Sequence, residues 1–274
     1  MARFQYGVEH PGFRPSDLLR PVQQVGHGVI AAVTNVGRGG FLAAQAVRTL
    51  RQVDIWGPRF VPLMVTIGVA SIPIALFILT FTGIVLAIQA SYTLTGTVPL
   101  YFVGALVGKT IILELGPVLT GLALAGRVGA SIASELGSMR VTEQIDALEA
   151  LAYDPVAYLV VPRVLAGMIM FPVITVFSVA IGISAGWLTS LAMLDMTTPE
   201  FVKGLRLFFD SYDITFALIK AWSFGLVVTG VGCFYGFHTH GGAEGVGKAT
   251  TRAVVIGSMV ILVLDAFWAA TLLK

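Results

Sequence analysis

Residues 61–92 read VPLMVTIGVASIPIALFILTFTGIVLAIQASY and contain no charged side chain. A helix of about 20 apolar residues crosses the roughly 30 Å of hydrocarbon in a bilayer, so this stretch is long enough to span a membrane. The whole chain of 274 residues is 56% hydrophobic and 12% charged, whereas a soluble domain is about 25% charged. This composition excludes a soluble enzyme, a disordered chain and a disulfide scaffold, and it predicts an integral membrane protein.

The other long apolar stretches predict further helices of the same kind. We therefore expect an all-α fold, a polytopic membrane bundle of about five transmembrane helices. The first predicted span is longer than one perpendicular crossing needs and contains Pro73, so a tilt, a kink and a re-entrant path all remain open. The predicted spans are about Val61–Tyr92, Leu100–Leu136, Tyr158–Leu194, Ile214–Phe237 and Ala253–Leu273.

Residues 1–60 form a predicted N-terminal segment that precedes a transmembrane domain at residues 61–274. The segment carries seven arginines against three acids, and its apolar residues recur at helical spacing between Ser16 and Asp54. This pattern predicts a basic amphipathic helix in the membrane interface, although a helix packed on another subunit gives the same pattern. The excess of arginine predicts a cytoplasmic N-terminus and, with five spans, a C-terminus outside.

Residues 138–154 predict a short amphipathic helix between two spans. Its apolar side chains recur three or four residues apart, and Asp154 and Pro155 end it because the residue before proline avoids the α conformation. An acidic helix of this kind on the cytoplasmic side would fit the groove of a cytoplasmic motor. Folding back onto the bundle or the headgroups is the alternative. The predicted apolar stripe is Val141, Ile145, Leu148 and Leu151.

Charged residues inside the spans are the second candidate site. An ionisable group at membrane depth is costly unless it is paired or faces a wet cavity. Glu114 and Lys109 lie in the second predicted span and Lys220 in the fourth. We predict that Glu114 and Lys220 pair near a central cavity and tune substrate passage. An ion pair that only fixes the register of the helices is equally compatible.

Two stretches partly match a phosphate-binding loop, at Gly104–Thr110 and at Gly242–Ala249. The motif requires a preceding strand and a following helix, and both stretches instead adjoin apolar helices. We therefore expect no nucleotide on this chain, and ATP and Mg²⁺ on a partner. His238 and His240 lack a defined ligand geometry, so no metal site is expected.

Residues 133–148, ASELGSMRVTEQIDAL, resemble the signature of the MlaE/YrbE permease family. The resemblance extends from about Val61 to the C-terminus. It implies the membrane subunit of an ABC-type transporter associated with MCE proteins, which moves phospholipid between the inner and outer membranes of a diderm bacterium. Further matching motifs are ELGPV at 114–118, GRVGA at 126–130, DP at 154–155, PR at 162–163 and GVGKATTRAVV at 245–255.

The same resemblance implies partners and a role for the amphipathic segment. It implies a multi-pass inner-membrane homodimer that catalyses no reaction itself, with an MlaF-like ATPase, an MlaD-like MCE protein and an MlaB-like STAS protein, and without nucleic acid. Family members often carry arginine before the Glu of ELGP, and here that position is Leu113. This leaves Lys109 or Lys220 as the partner of Glu114. The residues implied in coupling to the ATPase are Glu135, Met139, Arg140, Val141, Glu143, Gln144, Ile145, Leu148 and Leu151.

Two other classes of function remain as alternatives. One is a stand-alone intramembrane enzyme that modifies lipid, with Glu114 or His240 as its acid or base. The other is a membrane anchor that only holds a periplasmic MCE ring. The enzyme has no catalytic motif behind it in the sequence, because no nucleophile elbow and no zinc-protease helix motif occurs.

Overall fold

The computed structural model describes residues 33–34, 36–94 and 99–272. It divides the chain into two compact units, Met1–Ala44 and Gln45–Lys274. The predicted interfacial helix lies outside the described residues up to residue 32. The predicted division of the chain after residue 60 stays a prediction.

The secondary structure of the described residues is helical, with turns and no strand. Five stretches among them are long and apolar enough to cross a membrane, which confirms the predicted all-α polytopic bundle. These spans are Val53–Thr93, Phe102–Val141, Val156–Met193, Ser211–Phe237 and Gly242–Leu272. The helices are α1 (36–49), α2 (Val53–Ile67), α3 (Ile72–Thr93), α4 (Phe102–Thr110), α5 (Gly116–Leu124), α6 (Ala130–Val141), α7 (Gln144–Ala150), α8 (Val161–Met193), α9 (Thr198–Leu207), α10 (Ser211–Phe237) and α11 (Gly242–Leu272).

The first span consists of two helices rather than one. Helix α2 ends at Ile67, a 3₁₀ turn follows at Val69–Ser71, and α3 begins at Ile72. Pro73 therefore lies in the first turn of α3, where its missing N–H has no helical partner to lose. The sequence left a tilt, a kink and a re-entrant path open for this span. The structure interrupts the helix just before the proline.

The fifth span begins eleven residues earlier than the sequence predicted, at Gly242 instead of Ala253. Residues 242–252 lay outside the predicted spans. In the structure they form the first turns of α11, where Lys248 Nζ lies 2.6 Å from Glu244 Oε1, one turn away. Such a pair four residues apart supports a helix. The helix therefore extends past the apolar segment that defines the span.

Helix α8 contacts both α3 and α10, so the third span lies between the first and the fourth. The backbones of α3 and α8 approach very closely at Gly83 and Gly182, because a methyl group on Gly83 would overlap the carbonyl oxygen of Gly182. Small residues allow this approach between membrane helices. At the end of the bundle that carries α9, the buried ring of Phe201 joins the core beside Val107 and Ile111.

The second span contains two π-helical segments, Ile111–Leu115 and Ala125–Gly129, and the third begins with another at Val156–Val160. A π segment adds one residue to a helical turn, shifts the side chains that follow, and occurs frequently at functional sites. Glu114 lies in the first of these segments. Arg127 lies in the second and donates a hydrogen bond to Ser71, across to the first span.

Candidate functional site

Lys220 is the centre of a charged cluster inside the bundle. Its side chain is 0% exposed, and its Nζ lies 2.7 Å from Glu114 Oε2. The same ammonium group also contacts the carboxylate of Asp265. The three residues lie on the second, fourth and fifth spans, so the pair predicted from the sequence is present and Asp265 completes it as a third member.

A proline accounts for the backbone carbonyl that the Lys220 ammonium group contacts. Pro117 has no N–H to donate to the carbonyl of Leu113, four residues earlier in the helix. Lys220 Nζ donates to that carbonyl at 3.2 Å. Glu114 Oε2 and the carbonyl of Leu113 accept hydrogen bonds from the ammonium group, and the carboxylate of Asp265 is in ion-pair contact with it.

The cluster contains two carboxylates and one ammonium group. With all three groups ionised it carries one excess negative charge, which is expensive to bury. The Glu114 side chain is 37% exposed, and that of Asp265 is 20% exposed. The carboxylates therefore face space at the edge of the bundle, while the lysine holds them from inside.

Lys109 does not join this cluster. Its Nζ lies 2.7 Å from Asp213 Oδ2 and donates to the carbonyl of Phe208 at 2.9 Å. These contacts join the second span to the start of α10. Of the two candidate partners that the sequence left open for Glu114, the structure has Lys220, and Lys109 belongs to a separate pair.

The predicted coupling helix at residues 138–154 is not one helix. Helix α6 ends at Val141, and α7 begins at Gln144 after Glu143, whose φ of 60° is left-handed. Arg140 Nη1 lies 2.6 Å from Asp146 Oδ1 and closes this turn. We call residues 138–154 the coupling segment from here on.

The break also separates the predicted apolar stripe. Ile145 is 1% exposed and packs within the chain, whereas Leu151 is 70% exposed. A single continuous face for all four apolar residues was therefore wrong. Among the residues implied in coupling, Glu135, Met139, Arg140 and Val141 lie in α6, Gln144, Ile145 and Leu148 lie in α7, and Glu143 and Leu151 flank α7.

Arg163 is a site residue whose partner was not predicted from the sequence. Its side chain is 3% exposed, and Nη2 lies 2.7 Å from Glu135 Oε1. Nη1 donates to the carbonyl of Leu159 at 2.8 Å. The arginine thus ties the start of the third span to α6, immediately before the coupling segment. A buried arginine requires an acid nearby, but spacing alone does not reveal which acid it meets.

Both stretches that resemble a phosphate-binding loop are helical. Gly104–Thr110 lies in α4 and Gly242–Ala249 in α11. Neither stretch follows a strand among the described residues, although the phosphate-binding motif requires one. The described part of the chain also contains no group of three His, Cys, Asp or Glu side chains that could hold a metal ion.

The chain is similar to known membrane permeases. The family model described as Permease MlaE matches residues 60–271. A probable ABC transporter permease of Rickettsia bellii is 34% identical over 246 residues, which cover 90% of this chain and 95% of the relative. A similar protein of Synechocystis is 37% identical over 232 residues, 83% of this chain and 86% of that relative.

A third relative has a more specific description. It is the intermembrane phospholipid transport system permease protein MlaE of Haemophilus influenzae, which is 36% identical over 245 residues, 89% of this chain and 94% of that protein. These matches confirm the resemblance found in residues 133–148. The chain therefore belongs to the MlaE permease family, as a multi-pass membrane permease subunit of an ABC transporter.

Proposed function

We propose that this permease moves phospholipid between the inner and outer membranes of a diderm bacterium, driven by a partner ATPase. The observation that carries the proposal is the buried Lys220, held by Glu114 and Asp265 between three spans. Ionisable residues within membrane spans often mark a substrate pathway, and the cluster supports one here. The name of the Haemophilus relative supports phospholipid as the substrate.

The proposal assigns the energy source to another chain. An MlaF-like ATPase binds ATP and Mg²⁺, and this permease binds no cofactor. An MlaD-like MCE protein receives or delivers lipid outside, and an MlaB-like STAS protein accompanies the ATPase. Two copies of the permease form the membrane unit. The exposed apolar side chains of α11, among them Met259 and Val263, support a face that meets another hydrophobic surface.

The coupling segment is the proposed contact with the ATPase. Glu143 and Glu149 are exposed on it, which suits a groove with basic side chains. Closure of the ATPase pushes on this segment. The Arg163–Glu135 pair then transmits the displacement to the third span, and the bundle shifts between two discrete packings.

The proposed orientation places the coupling segment in the cytoplasm. Arg140 and Arg163 lie at that end of the bundle, and Lys248 and Arg252 lie in the first turns of α11. Lysine and arginine are more numerous at this end than at the end with α9, which carries Lys203 and Arg206, and this asymmetry supports a cytoplasmic location. With five spans, α9 and the C-terminus are then periplasmic.

The decisive experiment uses the whole complex in proteoliposomes with a fluorescent phospholipid. The double variant Glu143→Gln with Glu149→Gln removes two exposed acids from the coupling segment. Its matched control, Asp195→Asn with Glu200→Gln, removes two acids from the opposite end. We expect recovery of the ATPase with the permease and ATP-dependent lipid transfer to fall together, several-fold, in the first variant only.

Four results would count against the proposal. Unchanged recovery of the ATPase in the first variant would remove the coupling segment as its contact. Equal lipid transfer with and without ATP would remove the motor. A chemically altered lipid, produced by the purified permease alone, would favour an intramembrane enzyme, and a complex with no lipid transfer at all would favour a membrane anchor.

A further inference from the structure

A crevice lies between α8, α9 and α10. Its volume is about 450 Å³, within the range of roughly 300–1,000 Å³ that is typical of ligand sites. Its walls are almost entirely apolar. Side chains that line it include Ile112, Thr175, Val179, Arg206, Phe209 and Ala217.

Two polar side chains in this crevice have no partner among the described residues. Thr175 is 2% exposed, and its hydroxyl group makes none of the hydrogen bonds found in the described part of the chain. Threonines elsewhere in these spans, such as Thr189 and Thr229, donate to the carbonyl four residues earlier. Thr175 is therefore a small polar point in an otherwise apolar wall, and it does not decide what the crevice binds.

Arg206 lies at the crevice in the last turn of α9 and is exposed. It forms no ion pair with the described residues. Lys203, one turn earlier, lies over the ring of Tyr101 at 4.8 Å and does not line the crevice. Arg206 is thus the cation available to a ligand there, and a guanidinium group suits a phosphate by its paired donors.

We propose that this crevice binds one acyl chain of a glycerophospholipid, with its phosphate held by Arg206. An apolar cleft with a single cation at the level of α9 complements a molecule with a long apolar body and an anionic head. The inner end of the crevice lies close to the charged cluster, because Ala217 precedes Lys220 by one helical turn and Ile112 precedes Glu114 by two residues.

The proposed site depends on phospholipid being the substrate. It adds a lateral port, an opening between two spans through which lipid passes to or from the membrane. In the proposed orientation, lipid of the outer leaflet of the inner membrane enters or leaves there, between the third and fourth spans. A helix that ends in arginine is also stabilised by its own dipole, so the test needs a measurement that this structural role would not change.

The probe is a phosphatidylethanolamine with a photoreactive diazirine in one acyl chain. The full-length permease is placed in nanodiscs of phosphatidylethanolamine and phosphatidylglycerol, illuminated, and digested for mass spectrometry. We expect labelled peptides to cover residues 175–183 and 214–218. A diacylglycerol with the same diazirine serves as the uncharged probe.

Matched variants separate the chain from the headgroup. Ala180→Phe fills the crevice, whereas Ile181→Phe adds a ring on another side of the same helix; only the first should abolish labelling at 175–183. Arg206→Gln should lower labelling by the phospholipid about tenfold, the loss expected for one charge-assisted contact. It should leave the diacylglycerol probe unchanged, and Lys203→Gln should change neither. If Arg206 had only a structural role, Arg206→Gln would change labelling by both probes alike.

The proposal is overturned if labelling at 175–183 is absent or if Arg206→Gln leaves phospholipid labelling intact. It is also overturned if a photoreactive amino acid at position 180, in the whole complex, cross-links to a second copy or to another protein rather than to lipid. Labelling needs neither ATP nor a partner. If labelling at 175–183 is absent but the complex still transports lipid, only this port is rejected. If the complex does not transport lipid, the proposed function is rejected.

Discussion

Lys220 Nζ lies 2.7 Å from the carboxylate of Glu114, and the two side chains differ sharply in exposure, 0% for the lysine and 37% for the glutamate. The lysine is therefore a fixed part of the interior, and the glutamate is the member that a passing ligand can reach. Asp265 and the carbonyl of Leu113 hold the lysine from other directions. Removal of the lysine and removal of the glutamate should thus have different consequences.

We expect Lys220→Met to destabilise the bundle by about 3–5 kcal/mol, because it leaves two carboxylates without their cation. Glu114→Gln should cost much less, since Lys220 keeps Asp265 and an amide oxygen at position 114. Both variants should reduce ATP-driven lipid transfer. Thermal unfolding in detergent and transfer in proteoliposomes measure the two effects separately.

The matched control is Lys248→Met, which breaks the exposed pair with Glu244 on α11. A loss of no more than about 1 kcal/mol is expected there. Full transport activity in Glu114→Gln would show that the cluster only fixes the register of the helices, as the sequence also allowed.

The pair of Glu114 and Lys220 could be predicted because each is a charge within a long apolar span, where an unpaired charge is costly. Asp265 could not be assigned to it, nor Asp213 to Lys109. Both assignments depend on how far each helix is rotated about its axis. The π segment at Ile111–Leu115 changes that rotation, and periodicity calculated for a regular helix does not include it.

The coupling segment shows the same limit at shorter range. Its apolar residues recur at helical spacing, so one helix was the natural prediction. A residue with left-handed φ cannot continue an α-helix, and Glu143 adopts that conformation. The salt bridge of Arg140 with Asp146 stabilises the resulting turn, and no sequence period signals it.

Ile145 and Leu151 should respond oppositely to truncation. Ile145 is 1% exposed and Leu151 is 70% exposed. Ile145→Ala should therefore loosen the coupling segment by about 2–5 kcal/mol, the cost of a buried cavity. Leu151→Ala should leave the stability of the permease alone nearly unchanged and weaken recovery of the ATPase. Hydrogen exchange of residues 138–154 and co-purification distinguish the two, and equal exchange rates in both variants would contradict the burial of Ile145.

Gly83 should not tolerate a branched side chain. A methyl group there would overlap the carbonyl oxygen of Gly182, so Gly83→Val must push the first and third spans apart. We expect a loss of about 1–3 kcal/mol, as for other overpacked interiors. Gly230→Val is the control, because Gly230 lies within α10 with no atom near the added group. Equal thermal stability of the two variants would contradict the close crossing of α3 and α8.

The capping box of α9 should make that helix sensitive to acid. The backbone N–H and the hydroxyl group of Thr197 both donate to the carboxylate of Glu200, each at 2.8 Å. These bonds, the backbone one above all, hold the pKa of Glu200 below its usual value. A lowered pKa in the folded protein means that the stabilisation is present above the ordinary carboxyl pKa and is lost as the pH falls through the lowered one.

We therefore expect the first turn of α9 to lose protection against hydrogen exchange only as the pH falls from neutral to below the ordinary range of a glutamate carboxyl group, after correction for intrinsic exchange rates. Glu200→Gln keeps an acceptor for both hydrogen bonds but has no carboxyl group to titrate, so its protection should not depend on pH in this range. If the variant loses protection in acid as the natural chain does, another group is responsible. Because Arg206 lies on the same helix, phospholipid labelling at the crevice should weaken over the same pH range in the natural chain and persist in Glu200→Gln.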